Sequence, residues 1–168
     1  MLNTTALLTD RYELTMLQAA RHSGTADRRC VFEVFTRHLP AGRRYGVVAG
    51  TGRLLDQIQN FRFDDATISW LRDQNVVDSA TLEWLSNYEF KGSISGYREG
   101  EIYFAHSPVL QVEASFAEAV ILETLLLSIL NYDSAVASAA SSPDVRAARS
   151  STTFASHASA AIMSGVMS

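Results

Sequence analysis

Apolar and polar positions follow more than one period along the chain, and the changes of period mark its elements. In "TDRYELTMLQAARH" the residues Tyr12, Thr15, Met16 and Ala19 share one face at helical spacing, and Asp10 followed three positions later by Glu13 is a capping-box start. A first helix is therefore expected from just after Asp10 to about His22, where "SGTAD" ends it. "CVFEVF" is apolar at odd and even positions alike except at Glu33, which predicts a central strand covered on both faces and a partner for that carboxylate. "VVAGTGRLLDQIQNF" returns to a helical period. Two shorter helices follow, "FDDATISWLRDQ" and "DSATLEWLSNY", each opened by acids or a Ser/Thr cap.

From Ser93 the period shortens again. "SISGY", "EIYFA" and "VLQVEA" read as short strands separated by "REG" and "HSP", a small antiparallel unit. A long buried helix is then predicted from about Phe116 to Ala140. Its apolar run "AVILETLLLSIL" is broken by Glu123 and is shorter than the roughly 20 residues that a membrane span needs. Helix, strand, helices, β unit and long helix make an α+β layout, with no internal repeat visible. At Ser141 the chain turns rich in serine and alanine and loses any apolar period. Residues 1–140 are thus read as one α+β domain and residues 141–168 as a tail without packed structure.

Composition narrows the possible functions. The 168 residues, 47% of them hydrophobic, are enough to bury a core. Charged residues make up 19%, the net charge is −4 and the basic residues form no block, so a nucleic-acid partner held through its phosphates is not expected. Cys30 has no second cysteine to pair with, which fits a reduced, cytoplasmic compartment and argues against disulfides and a cysteine metal site. The short apolar start has no basic flank, so neither a secretory leader nor a membrane anchor is expected.

Single motifs remain ambiguous. "TDRY" alone reads as a capped helix start whose tyrosine packs on a neighbouring element. "FTRHLPAGRRYG" gathers Arg37, Arg43 and Arg44 around a Pro/Gly turn, which suits anion or phosphate binding by guanidinium forks and equally suits a solvated basic turn. His22, His38, His106 and His157 show no metal-ligand spacing. "REGEIYFAHSPVLQVEA" has the look of a biotinyl or lipoyl carrier unit, but Lys91 lies outside any hairpin tip. No glycine-rich phosphate loop, nucleophile elbow or paired-carboxylate site is present.

Taken in order and spacing, "LLTDRYELTM", "VFEVFTRHLPAGRRYGVVAG", "EGEIYFAHSPVLQVEA" and "AEAVILETLLLSILNYDSAVASAA" resemble the nicotinate phosphoribosyltransferase family, over residues 5–140. The resemblance implies the amino-terminal α/β domain of a type II phosphoribosyltransferase. It implies ATP-linked joining of nicotinate to phosphoribosyl pyrophosphate in NAD salvage, giving nicotinate mononucleotide and pyrophosphate, on a Mg²⁺-dependent homodimer. It also implies that Tyr12 reaches the nicotinate pocket, from the neighbouring subunit, where its ring stacks on the pyridine. Arg37 is the candidate for the phosphate-binding arginine that related nicotinamide-using enzymes carry just after the matching strand.

Members of that family are longer. Their phosphoribosyl-binding barrel, the histidine phosphorylated by ATP and the arginine that holds the nicotinate carboxylate lie beyond the point where this chain loses the pattern. The expectation is a truncated product with the barrel domain missing, inactive alone, with ATP and Mg²⁺ implied by the family and not held by this chain alone. The alternative is a non-catalytic remnant or subunit-binding protein. A fragment of a quinolinate or nicotinamide phosphoribosyltransferase is the third choice, disfavoured by "FTRHLPAGRRY".

Overall fold

The structure, a computed structural model, describes residues 6–141 and 161–167. After a 3-10 turn (Ala6–Leu8) come α1 (Arg11–His22), β1 (Arg29–Thr36), β2 (Gly46–Val47), α2 (Thr51–Gln59), α3 (Asp65–Asp73) and α4 (Ser79–Ser86). The second half holds β3 (Ser93–Gly96), β4 (Ile102–Tyr103), β5 (Pro108–Ser115), α5 (Phe116–Val120), α6 (Glu123–Ser141) and β6 (Ala161–Met167). The architecture is α+β, as the periods of the sequence imply.

β1 lies inside a sheet of order β3-β5-β1-β6, and its pairings with β5 and β6 are both antiparallel. The period of two puts Cys30, Phe32 and Val34 on one face, with Leu110, Val112 and Ala114 of β5 on the same buried side. Each large apolar side chain buried there contributes about 1.5–3 kcal/mol. The opposite face of β1 carries Val31, Glu33 and Phe35, which are only half-buried, so the expectation of a strand covered on both faces is corrected. Glu33 does find its partner: the Gln111 side-chain amide donates to its carboxylate at 2.7 Å across the ladder.

The strands of residues 93–115 do not form a self-contained unit. β4 pairs with β2, Gly46 opposite Tyr103, while β5 is taken up between β1 and β3. The eight residues of β5 need a partner of matching length and apolar face, and β1 is the one that offers both. α2 starts at Thr51 rather than near Val47. Gly50 takes a left-handed φ of +92°, and the Val47 and Ala49 N–H groups go to the hydroxyls of Ser138 and Ser134 on α6, at 2.8 and 3.1 Å, instead of into a helix.

α3 and α4 are copies of one design, a repeat that the periods alone did not bring out. "DDATISWL" and "DSATLEWL" align residue for residue, and the Asp64 and Asp78 carboxylates accept the Thr67 and Thr81 N–H groups at 2.8 and 2.7 Å as N-caps. The rings of Phe61, Phe63 and Tyr88, which flank this hairpin in the chain, pack edge to face on one another, and the Tyr88 hydroxyl donates to the Glu118 carbonyl at 3.1 Å.

The helix expected from Phe116 to Ala140 is two helices, parted at Ile121 and Leu122. The interruption is taken up by the start of α1: the Thr9 hydroxyl donates to the Ile121 carbonyl at 2.9 Å, and the Thr124 N–H goes to Glu13 at 3.0 Å. The tail expected from residue 141 falls mainly on residues 142–160, outside the described residues. Residues 161–167 are described as β6, running antiparallel along β1 from Thr36 opposite Ala161 to Cys30 opposite Met167. A ladder of this kind is made by backbone groups, which composition does not register.

Two glycines test the packing in opposite directions. A Cβ at Gly92 would lie 2.4 Å from the Glu113 carbonyl oxygen, so Gly92→Ala is expected to destabilise by about 1–3 kcal/mol. A Cβ at Gly52 meets nothing, and Gly52→Ala inside α2 is expected to stabilise by about 0.5–1 kcal/mol. Urea denaturation of both variants reads the difference, and equal midpoints would remove the close approach at Gly92 as a constraint.

Candidate functional site

The first turns of α1 and α6 meet through one carboxylate. The Asp10 side chain faces the Glu13 amide in a capping-box arrangement, and the Asp10 N–H donates to the Glu13 carboxylate at 3.3 Å. The other oxygen of Glu13 accepts the Thr124 N–H at 3.0 Å and the Thr124 hydroxyl at 2.5 Å. Glu13 is 0% exposed. Burial drives its pKa up, the Thr124 hydrogen bond works against that and the Glu123 charge adds to it, leaving it at about 7 against an ordinary 4.5.

One residue earlier on each helix, Tyr12 and Glu123 form an outer pair. Tyr12 is 45% exposed. Burial, then the charges of Glu123 and Glu13, push the phenol well above its usual range. Glu123 is half-buried; burial raises its pKa and the nearby Tyr12 hydroxyl opposes that. The ring of Tyr12 thus has carboxylates near its hydroxyl and is open on its exposed side.

Arg37 lies elsewhere. It follows β1 directly and is exposed, on a loop where the Arg43 N–H closes a turn onto the Pro40 carbonyl at 3.0 Å. No ion pair among the described residues involves Arg37, Arg43 or Arg44. The His106 N–H donates to the Thr36 carbonyl at 2.8 Å, and the His106 ring lies 6.3 Å from those of Phe35 and His38. No hydrogen bond or ion pair joins Tyr12 to Arg37. Thr36 is held to His106, just past β4; β4 pairs with β2, and β2 is held to Ser138. Glu123 and Ser138 stand about 22 Å apart along α6 at 1.5 Å per residue, so Tyr12 and Arg37 belong to opposite ends of that helix.

Two clefts formed by the described residues include neither Tyr12 nor Arg37. One, of about 460 Å³, lies between α2 and α6 beside Arg53 and Tyr132; the other, of about 250 Å³, lies between Arg11 and Trp70. Among the described residues no three His, Cys, Asp or Glu side chains converge as a metal-ion cluster. No described helix is long and apolar enough to cross a membrane.

Reading the sequence singled out Tyr12 and the Asp10–Glu13 pattern but took Glu123 only as an interruption in an apolar run. That interruption was the available signal: an acid inside "AVILETLLL" has to be reached by a donor or by water.

Comparison with known proteins supplies the context. The model of the nicotinate phosphoribosyltransferase (NAPRTase) N-terminal domain matches residues 7–131. Nicotinate phosphoribosyltransferase pncB1 of Mycobacterium tuberculosis is 59% identical over 134 residues, which are 80% of this chain and 30% of that protein. The nicotinate phosphoribosyltransferase of Bacillus subtilis is 34% identical over 135 residues, 80% of this chain and 28% of that one. The crystal structure of human nicotinic acid phosphoribosyltransferase superposes with a TM-score of 0.72 at 30% identity, covering 79% of this chain and 27% of that chain. The chain therefore spans 30% or less of the length of these relatives.

The buried carboxylate makes a pH prediction. Its folded pKa of about 7 lies above the unfolded value near 4.5, so the folded state holds the extra proton between those limits. Stability is therefore expected to fall as pH rises from about 4.5 to 7, by on the order of 3 kcal/mol from Glu13 alone. Glu13→Gln should flatten that slope. Urea midpoints measured across the interval for both proteins decide the matter, and parallel profiles would sink it.

Proposed function

The chain belongs to the nicotinate phosphoribosyltransferase N-terminal domain family, and from that premise we propose that it supplies one wall of a pocket in which nicotinate is joined to phosphoribosyl pyrophosphate. In that reaction the pyridine nitrogen bonds to the anomeric carbon of the ribose while pyrophosphate leaves with the electrons of the broken C–O bond. The observation that carries the reading for this chain is the Tyr12 ring, exposed at the start of α1 inside the matched region. An exposed aromatic face is what a flat, electron-poor ring stacks on.

Arg37 takes the second role, a guanidinium presented to a phosphate group from a loop that gives it no internal ion pair. The helical span between the two residues sets a condition on the reading: Tyr12 and Arg37 of one chain do not close on one small ligand. In this proposal they serve different pockets of a homodimer, Tyr12 reaching into that of the other copy. The exposed apolar side chains Leu8, Met16 and Tyr132 near the same junction offer a surface for such a contact. ATP, Mg²⁺ and a cytoplasmic location belong to the same reading, and the groups that would hold ATP and Mg²⁺ are assigned to the remaining length of the relatives. The same apolar residues also favour a second reading, a chain that binds a subunit without taking part in catalysis.

Two measurements follow. The 168-residue chain alone is expected to form no nicotinate mononucleotide, because in this reading the groups that hold the pyrophosphate and Mg²⁺ belong to the remaining length of the relatives; turnover above background would overturn the division of labour. In a full-length relative that carries the same tyrosine, replacing it as in Tyr12→Ala should weaken nicotinate use by about 0.5–1.5 kcal/mol with little change in melting temperature. A tyrosine that only packs gives the reverse, early melting with an unchanged KM for nicotinate, and would favour the non-catalytic reading.

A further inference from the structure

We propose that His106 is the positioning residue for Arg37: its backbone N–H and its imidazole ring hold the residues on either side of that arginine and so limit where the guanidinium is presented. The proposal rests on the reading of Arg37 as the residue that faces a phosphate group.

The local sequence sets up the contact. The ladder between β1 and β5 reaches Phe35 opposite Pro108, after a shift of register between Val34 and Phe35. Proline has no N–H to give, and the bond beyond it comes from His106, whose N–H donates to the Thr36 carbonyl at 2.8 Å. His106 takes a left-handed φ of +65° in the turn that joins β4 to β5. Such a φ is uncommon outside glycine, although histidine adopts it more readily than most residues.

The same turn brings the ring to the start of the loop after β1. The imidazole lies 6.3 Å from the Phe35 ring and 6.3 Å from that of His38, edge-on to the latter at 88°. Both separations are within the range of aromatic pairing. Thr36 is thus held through its main chain and His38 through its ring, and Arg37 stands between them. Arg37 is exposed, and no ion pair among the described residues anchors its guanidinium. Holding both neighbours narrows the arc through which it swings. A group already placed loses less entropy on meeting a phosphate, so the effect belongs in binding.

His106 also closes the turn between β4 and β5, a role that acts on stability alone. The positioning role acts on the phosphate end of the reaction and spares the nicotinate end, because Tyr12 stands at the other end of α6. The two therefore separate in the Michaelis constants of the two substrates.

His106→Gly keeps the left-handed backbone and its N–H while removing the ring, and His38→Ala removes the other ring from an exposed position on the loop. In the 168-residue chain, NMR relaxation of the backbone amides of residues 37–39 should show a loss of order in both variants and near-native order in His38→Phe, which keeps a ring opposite His106. In a full-length relative carrying these residues, His106→Gly and His38→Ala should each raise the phosphoribosyl pyrophosphate KM roughly two- to ten-fold with the nicotinate KM unmoved. The double variant should be no worse than either, and His38→Phe should stay close to the starting value. Additive effects, a joint rise of both Michaelis constants, or unchanged order at residues 37–39 would overturn the positioning role while Arg37→Ala still weakens phosphoribosyl pyrophosphate use. If Arg37→Ala itself leaves that use unchanged, the phosphate reading of Arg37 fails and the positioning role falls with it. His38→Ala tests the same ring contact from the other side, so the experiment decides even if His106→Gly does not fold.

Discussion

A single buried carboxylate holds the two halves of this domain in register. Glu13 takes the Asp10 N–H at the start of α1 and the N–H and hydroxyl of Thr124 at the start of α6, residues more than a hundred positions apart in the chain. Helix N-termini leave backbone donors unsatisfied, and here one side chain serves two of them at once. The arrangement is high in stakes because it is fully enclosed. Removing either partner leaves a buried polar group unmet, at about 1–3 kcal/mol or more for a charged one. The raised pKa records the same tension between the cost of desolvating the charge and the gain from its donors.

The fold on either side follows from this junction. Because Glu13 and Thr9 take up the backbone groups around Ile121 to Thr124, α5 and α6 separate there and change direction. α5 then continues from β5, its first N–H groups donating to the carbonyls of Arg28 and Ala26 ahead of β1. α6 runs on to Ser134 and Ser138, which hold the Ala49 and Val47 N–H groups beside β2. Two serines one helical turn apart on a buried face have short side chains, which lets the helix come close enough to bind backbone groups directly.

How much of this was legible in the sequence depended on whether the deciding interaction was local. The acid-opened starts of α3 and α4 and the shared face of Tyr12, Thr15, Met16 and Ala19 on α1 are short-range features that the sequence located, while the exposure of that face came from the structure. The start of α2 was misjudged because a helical pattern from Val47 onward gave no sign that Val47 and Ala49 donate to serines about ninety residues later. The break in the long helix and the pairing of β4 with β2 were hidden for the same reason. Tyr12 and Arg37 were marked as site residues by resemblance and not by local chemistry. The structure adds that Tyr12 has an open face and that Arg37 stands exposed on the loop after β1 without an ion pair among the described residues.

α6 also bears on how a pocket could be assembled. A helix of 19 residues is stiff over its length, and its two ends are tied down by different means: Glu13 at Thr124, and the backbone in and just after β2 at Ser138 and Ser134. Whatever stands beside Tyr12 is therefore separated by most of that helix from the groups tied to Ser134 and Ser138. In the proposed reading, a pocket that uses both Tyr12 and Arg37 takes them from two copies of the chain. Arg37 stands on an exposed loop, so in that reading adaptation to a ligand falls to this loop and to the contact between copies, while the junction of α1 and α6 beside Tyr12 is held by the buried Glu13.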